Sequence, residues 1–327
     1  MAYTDLSPAE LNTYRSEVTY PADFQTFWDT TLREARNAAQ PATYQQVATP
    51  FKQLDFYDLT FSGFGADPIK AWLSGPTGFL DSAQKYPTVV EYLGYGGGRG
   101  RAGAEIKWAA AGYIHLLMDT RGQGGDWGSG GDTPDPHPTT SATIGHLTNG
   151  VEKRETMYYR RLITDAVRAI DTVLEIPAVD PEKIILTGLS QGGGLSLTAG
   201  ALHPQVSAIL PDVAWLCDYH RGAILVDVPP YRELRRYLAV YPDRTSETLT
   251  NLSYIDGVNF ARQAHAPALF SVALMDDCVP PSTTFGAYNE YAGDAQMEIY
   301  PFRGHEGGQY PHFLKQLDWL ANRGLGA

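Results

Sequence analysis

Gly188-Leu189-Ser190-Gln191-Gly192 stands between the apolar run Ile184-Ile185-Leu186 and a helix-forming segment, Leu195 to Leu202. A strand, a sharp turn and a helix in that order lift a serine hydroxyl above the edge of a sheet. Glycines two residues to either side are needed because a Cβ there meets the neighbouring turn. The chemistry is nucleophilic. A serine hydroxyl attacks poorly at neutral pH, so it calls for a general base and for a carboxylate to orient that base. Other uses of a Gly-rich turn fit less well. A phosphate loop requires a lysine that is missing after Gly194, and a dinucleotide fingerprint belongs near the first strand, with spaced glycines.

On α/β-hydrolase folds the order along the chain is Ser, then Asp or Glu, then His, each on a loop after a strand. The tail supplies both partners. Pro267 to Met275 is an apolar strand candidate that runs into Asp276-Asp277, and Pro280-Pro281 then fix a loop. Met297-Glu298-Ile299-Tyr300 alternates as a strand and leads to His305 in a Gly-flanked loop. Asp276 is nearer its strand, and Asp277 is the alternative acid. Among the eight histidines, His305 alone lies beyond the acid and just past a strand. His312, in the last helix, is its nearest rival. His115 sits in the apolar run Tyr113 to Met118 and reads as a core residue, while His203 ends a helix.

The tetrahedral intermediate of acyl transfer carries an oxyanion that backbone N–H groups stabilise, one just after the nucleophile and one in the loop after an earlier strand. Gln191 supplies the first. Pro87 to Leu93 reads as that strand, and Gly94-Tyr95-Gly96-Gly97-Gly98 follows, with the Tyr95 amide as the second donor. Tyr113 to Met118 leads into Arg121-Gly122-Gln123, where Arg121 is read as a scaffold ion pair or carbonyl clamp.

Arg121-Gly122-Gln123, Gly188-Leu189-Ser190-Gln191-Gly192 and His305-Glu306 resemble the three signature motifs of carbohydrate esterase family 7. Tyr57 to Gly63, Gly94 to Gly100, Tyr158-Tyr159-Arg160-Arg161, Leu252 to Asp256 and Pro280 to Thr283 extend the likeness along nearly the whole chain. The resemblance implies an acetyl xylan esterase that also deacetylates cephalosporin C. It implies Ser190 as nucleophile, His305 as base, Asp276 as its orienter, and the Tyr95 and Gln191 amides as oxyanion donors. It further implies a homo-oligomer, a hexamer, whose subunits shelter the active sites. The chain departs from the family pattern at Leu93, Ala214-Trp215, Ile255 and Asp277-Cys278. These departures bear on the acyl or leaving-group pocket, for which Trp215, Pro230, Asp277 and Cys278 are the candidates.

A length of 327 residues with 43% hydrophobic content is ample for the core of one large α/β domain. The expected architecture is an α/β-hydrolase fold over 1–327: a mostly parallel central sheet flanked by helices, with a helical extension over 1–40. Phe24, Phe27, Trp28 and Leu32 give that extension an amphipathic helix that packs across the domain. Phe56 to Ser62 and Ile69 to Leu73 read as a hairpin, and strands then alternate with helices. Leu162, Ala166, Val167, Ile170 and Leu174 mark one apolar helix face, and Ala208 to Val213 a strand.

Two stretches interrupt the alternation. An insertion over 127–156 is rich in Gly, Pro, Thr and Ser. Its Trp127, Ile144 and Leu147 need burial, which points to a contact with a neighbouring subunit. A helical excursion over 221–252 lies where hydrolases build lids.

A formal net charge of −12 without a basic cluster argues against nucleic acid and anionic membranes as partners. No apolar run is long enough for a membrane span, and the first residues carry no secretory signature, so a cytoplasmic location is expected. No Cys/His spacing resembles a metal site, and no motif calls for a cofactor; a single Cys217–Cys278 bridge stays open. The expected reaction is hydrolysis of small acetyl esters, acetylated xylooligosaccharides among them, through an acetyl-enzyme. A general short-chain esterase or lipase, or a serine peptidase, is the alternative on the same fold. A silent binding protein is a third reading, opposed by the presence of both Ser190 and His305.

Overall fold

Nine strands form one sheet: β1 (Thr43–Val47), β2 (Leu54–Ser62), β3 (Pro68–Pro76), β4 (Tyr86–Tyr92), β5 (Ile114–Met118), β6 (Val179–Leu189), β7 (Val206–Asp212), β8 (Ala268–Ala273) and β9 (Ala295–Tyr300). The computed structural model describes residues 3, 5–128, 130–137 and 145–327. The order across the sheet is β1-β2-β3-β5-β4-β6-β7-β8-β9. β1, β2 and β3 are antiparallel to their neighbours, and from β5 onward the sheet is parallel. β2 and β3 make the expected hairpin, with Ser62 opposite Pro68.

The apolar strands divide their side chains by twos, as a pleated strand must. Val90, Tyr92, Ile184, Leu186 and Ile209 enter one core. Val89, Ile185, Ala208, Leu210 and Leu269 enter a second core on the opposite face, with Trp108, Tyr113, Trp319 and Leu320. Both faces are therefore covered, which is why β4 and β6 read as continuous apolar runs rather than as alternating ones.

The helices are α1 (Pro8–Thr13), α2 (Phe24–Ala38), α3 (Lys107–Ala110), α4 (Tyr158–Leu174), α5 (Gln191–Leu202), α6 (Tyr219–Leu225), α7 (Tyr231–Val240), α8 (Thr245–Leu252), α9 (Gly257–Ala261), α10 (Pro281–Tyr288) and α11 (Gln309–Ala321). α4 and α5 contribute to the first core, α3 and α11 to the second. α5 begins directly after Ser190, four residues earlier than helix propensity places it. α6, α7 and α8 give the excursion the helical character expected of it.

The N-terminal segment straps onto α6 and α10. Ser7 and Glu10 form a reciprocal capping box at the start of α1. Asp5 accepts from the Ser282 amide (2.7 Å) at α10 and pairs with Arg221 (3.1 Å). Asn289 donates to the carbonyls of Leu11 (2.8 Å) and Tyr14 (2.9 Å). In α2, Phe24, Trp28 and Leu32 are buried, and the Trp28 indole donates to the Tyr254 carbonyl (2.9 Å).

Part of the insertion folds back on its own chain. Leu147 and Val151 are buried in the first core. Trp127 is 52% exposed on this chain. Ile144 lies outside the described residues. Cys217 and Cys278 are free thiols, so no bridge joins them. No helix among the described residues is long and apolar enough to cross a membrane.

Candidate active site

The carboxyl ends of the central strands converge on Ser190. Its backbone sits at φ 59° and ψ −117°, a conformation that costs a non-glycine residue roughly 1–3 kcal/mol. Three hydrogen bonds hold it there. The Ser190 amide donates to the Asp212 carbonyl (2.9 Å), and the Ser190 carbonyl accepts from Gly194 (3.0 Å) and Trp215 (2.9 Å). The flanking glycines are steric necessities. A Cβ on Gly188 would lie 2.4 Å from the Gly192 backbone, and one on Gly192 would lie 2.0 Å from the Tyr92 carbonyl oxygen.

Asp276 follows β8 and is buried, 1% exposed. Its Oδ1 accepts from the amides of Cys278 (2.9 Å) and Val279 (2.8 Å), which fixes the carboxylate plane. Its Oδ2 lies 2.8 Å from His305 Nδ1. In the neutral imidazole Nδ1 bears the proton for that bond, so Nε2 is the free acceptor. Burial opposes the imidazolium of His305, but the hydrogen bond and charge of Asp276, with the Cys278 thiol beside it, outweigh burial and push the pKa up to about 10. His305 and Asp276 are thus brought together. Ser190 Oγ makes no hydrogen bond among the described residues. The rival His312 is tied to the Tyr300 hydroxyl (2.9 Å) inside α11.

Asp277 does not share this environment. It is exposed, and it takes no part in the shift at His305. The adjacent amides select Asp276 as the inward carboxylate, and the chain then carries Asp277 out to solvent.

Two backbone N–H groups near Ser190 have no partner among the described residues. Gln191 opens α5, where a helix leaves its first amides free. The Gly94 carbonyl accepts from Gly97 (3.1 Å), so the Tyr95 N–H, trans to it across the same peptide, points the other way. The Tyr95 carbonyl accepts from the Trp127 indole (2.6 Å).

The Tyr95 side chain is anchored by a residue that the sequence reading passed over. Its hydroxyl donates to Glu233 of α7 (2.5 Å) and accepts from the His146 amide (3.0 Å), while Glu233 also accepts from the Leu147 amide (3.1 Å). Burial raises the Glu233 pKa, against the hydrogen bonds from Tyr95 and Leu147. A signal existed: Glu233 is a carboxylate on the same helix face as the buried Leu234 and Tyr237.

Trp215 is fully buried in a ring of aromatics. Tyr95 and Tyr159 stand 5.5 Å from it, Tyr231 6.0 Å and Tyr219 6.1 Å, all edge to face. Pro230 is buried at the start of α7, and half-buried Cys278 lies 3.7 Å from the Pro229 carbonyl oxygen. Arg121 is far from free. Asp165 receives it in a two-pronged pair (2.5 and 2.7 Å), and Asp67 (2.9 Å) and Asp135 (3.2 Å) complete the cluster. Gly122 turns the chain at φ +66°, leading to Gln123.

A strained serine, a histidine paired with a buried aspartate and two free amides are the parts of an acyl-transfer site. Residues 1–323 match the family model for acetyl xylan esterase (AXE1). The structure is similar to the acetyl xylan esterase from Paenibacillus sp. R4, with TM-score 0.90, 32% identity and coverage of 97% of this chain and 99% of that one. It is also similar to acetyl xylan esterase 1 from Thermoanaerobacterium sp. JW/SL YS485, with TM-score 0.87, 30% identity and coverage of 95% and 97%. Acetyl esterase Axe7A of Xylanibacter ruminicola is 28% identical over 333 residues, spanning 96% of this chain and 69% of that protein.

Proposed function

Because the chain belongs to the acetyl xylan esterase family, carbohydrate esterase family 7, and is a carboxylic ester hydrolase of that type, we propose that it removes acetyl groups from short acetylated xylooligosaccharides and from small acetyl esters such as cephalosporin C, through an acetyl-enzyme. The Asp276–His305 pair and the strained turn at Ser190 carry this reading. Ser190 Oγ attacks the acetyl carbonyl while His305 Nε2 takes its proton and Asp276 stabilises the imidazolium. The oxyanion accepts from the Gln191 and Tyr95 amides. The sugar alcohol leaves with the proton held on His305. Water then attacks the acetyl-Ser190 ester, with His305 again as base. Ser190 and His305 close to hydrogen-bond distance in the reacting complex, as catalytic contacts often tighten there. Mass spectrometry of enzyme quenched during turnover of an acetyl ester tests the intermediate: a 42-Da adduct on the Ser190 peptide is expected from the mass of an acetyl group replacing hydrogen, about 42 Da.

The pH profile follows from the histidine. A raised pKa keeps His305 protonated to higher pH, and only the neutral imidazole accepts the serine proton. kcat/KM therefore falls as pH drops, with its acid limb above the ordinary value of 6.5. Asp276→Asn moves that limb to lower pH. Asp277→Asn leaves it in place, and a shift there of a full pH unit would contradict the exposed position of Asp277.

Packed aromatics around Trp215, with Pro230 and Cys278 beside them, support an acetyl-sized acyl pocket. Each methylene that does not fit costs roughly 1–3 kcal/mol, about 10- to 200-fold. Acetyl esters are expected to exceed butyryl esters in kcat/KM by at least that factor, and Trp215→Ala to narrow the gap. Equal turnover of both esters by the unmodified enzyme supports the general esterase instead.

The protein acts in the cytoplasm as a homo-oligomer, a hexamer, in which the insertion over 127–156 meets a neighbouring subunit and narrows the approach to Ser190. The exposed Trp127 supports that contact. Light scattering is expected to give a hexameric mass, and a shorter linker in place of 130–150 to admit polymeric xylan. A monomeric mass removes this proposal.

A further inference from the structure

Gln123 holds together the two segments that bear the free amides. Its Oε1 accepts from the Gly96 amide (2.7 Å) and from Gln191 Nε2 (3.2 Å). Its Nε2 donates to Gln191 Oε1 (3.0 Å) and lies 3.0 Å from the Tyr158 hydroxyl. The two side-chain amides therefore form a reciprocal pair. Each end is fixed in turn. The Tyr158 hydroxyl donates to the Arg121 carbonyl (2.5 Å), the Tyr159 hydroxyl donates to Gln191 Oε1 (2.7 Å), and Gln191 Nε2 reaches the Leu93 carbonyl (3.2 Å).

The peptide between Tyr95 and Gly96 is consequently bound on both sides, its N–H by Gln123 and its C=O by the Trp127 indole. That peptide cannot rotate, and the Gly94–Tyr95 peptide before it, which carries the Tyr95 N–H, is held through its carbonyl by the Gly97 amide (3.1 Å). On the other flank, the Gln191 side chain is clamped one residue after Ser190. Gln123 is the one side chain among the described residues that bonds both the Gly94–Gly98 loop and the first residue of α5. Besides these bonds, the Gln191 side chain reaches only the Leu93 carbonyl, just before that loop.

We propose that Gln123 is a positioning residue that sets the separation of the Tyr95 and Gln191 amides, and so acts on the transition state without touching substrate. The inference rests on the reading of Ser190 as nucleophile and of these amides as oxyanion donors. Loss of a whole oxyanion donor costs about 10²–10³ in kcat, and a misplacement of about 1 Å costs about 10². Loosening both donors together is therefore expected to cost about 10- to 100-fold in kcat. A ground-state carbonyl gains little from the donors, so KM stays within about threefold.

Gln123→Ala and Gln123→Glu in the full chain test this. In Gln123→Glu the ionised carboxylate still accepts from Gly96, but it cannot donate to Gln191 Oε1 and repels it. Its protonated form can donate. The ratio of Gln123→Glu to unmodified kcat is therefore expected to rise as pH falls, whereas the Gln123→Ala ratio stays flat. A purely structural role produces no such divergence. Should Gln123→Ala not fold, Gln123→Glu carries the test alone.

Rates are measured well below the thermal midpoint of each variant. A kcat within twofold of the unmodified enzyme, a loss confined to KM, or a pH-independent Gln123→Glu ratio overturns the proposal. Ser190→Ala, run in parallel, separates the two ideas. If it stays active, the reading of the site fails; if it is inactive while Gln123→Ala has normal kcat, only the positioning role fails.

Discussion

Ser190→Ala is expected to lower kcat by about 10⁴- to 10⁶-fold, because the acetyl-enzyme can no longer form and the remaining machinery only binds and polarises the ester. The fold should persist. The three hydrogen bonds that hold residue 190 are all made by its backbone, so removing the hydroxyl leaves them intact. The same substitution leaves the Asp276–His305 pair undisturbed, since that pair makes no bond to Ser190 Oγ. Circular dichroism and thermal melting should match the unmodified protein while turnover vanishes. A clean preparation that kept a tenth of its activity would remove Ser190 from the mechanism.

Arg121→Met is expected to act in the opposite way, on stability first. The guanidinium is 0% exposed and faces Asp165, also 0% exposed, with Asp67 and Asp135 on its other side. Removing the cation strands a buried carboxylate that also accepts from the Phe64 amide (2.8 Å). Breaking such a pair costs about 3–5 kcal/mol, on the order of 10 °C in thermal midpoint for a protein of this size. Burial already raises the Asp165 pKa, against the pull of Arg121. Without Arg121 the rise is larger, so the variant should fold with Asp165 neutral. A group with a raised folded pKa stabilises at low pH and loses that contribution as pH rises. The variant should therefore recover stability on acidification, and Arg121→Met/Asp165→Leu should recover part of the loss at neutral pH. A single variant that melts within 2 °C of the unmodified protein, by the same scaling of about 2–4 °C per kcal/mol, would show that the cluster is not structural.

The elements that the sequence revealed are those whose local chemistry and tertiary role coincide. The run into Ser190 is β-branched and buried on both faces, and its turn needs glycine, so pattern and structure agree. β1 escaped notice because Thr43-Tyr44-Gln45-Gln46-Val47 is a sheet edge whose side chains are mostly exposed on both faces, leaving no alternation to read. The start of α5 was placed too late because Gly192, Gly193 and Gly194 suppress intrinsic helix propensity. Tertiary approach overrides it: a Cβ on any of the three would lie 2.0 to 2.8 Å from the backbone of Tyr92, Asp212 or Trp215. Neither the choice between Asp276 and Asp277 nor the exposure of Trp127 is a matter of residue type. The first depends on which carboxylate meets the Cys278 and Val279 amides, the second on an indole tied to the Tyr95 carbonyl.

The N-terminal strap has a consequence for how the molecule is made. Leu11 and Tyr14 are bound by Asn289, which is 278 residues beyond the first of them. At a synthesis rate of roughly 5–20 residues per second, the strap waits about 15–55 s for that partner to leave the ribosome. α1, only six residues long, has no stability of its own in that interval. Phe24 and Trp28 meanwhile lack part of their cover, since Tyr254 and Phe260 are also still to come. The nascent chain thus carries its aggregation hazard in a segment that emerges before its cover. The Asp276–His305 pair waits about as long, because both residues lie more than 200 positions after the strap. Activity in a coupled translation reaction should therefore appear only after synthesis has passed His305.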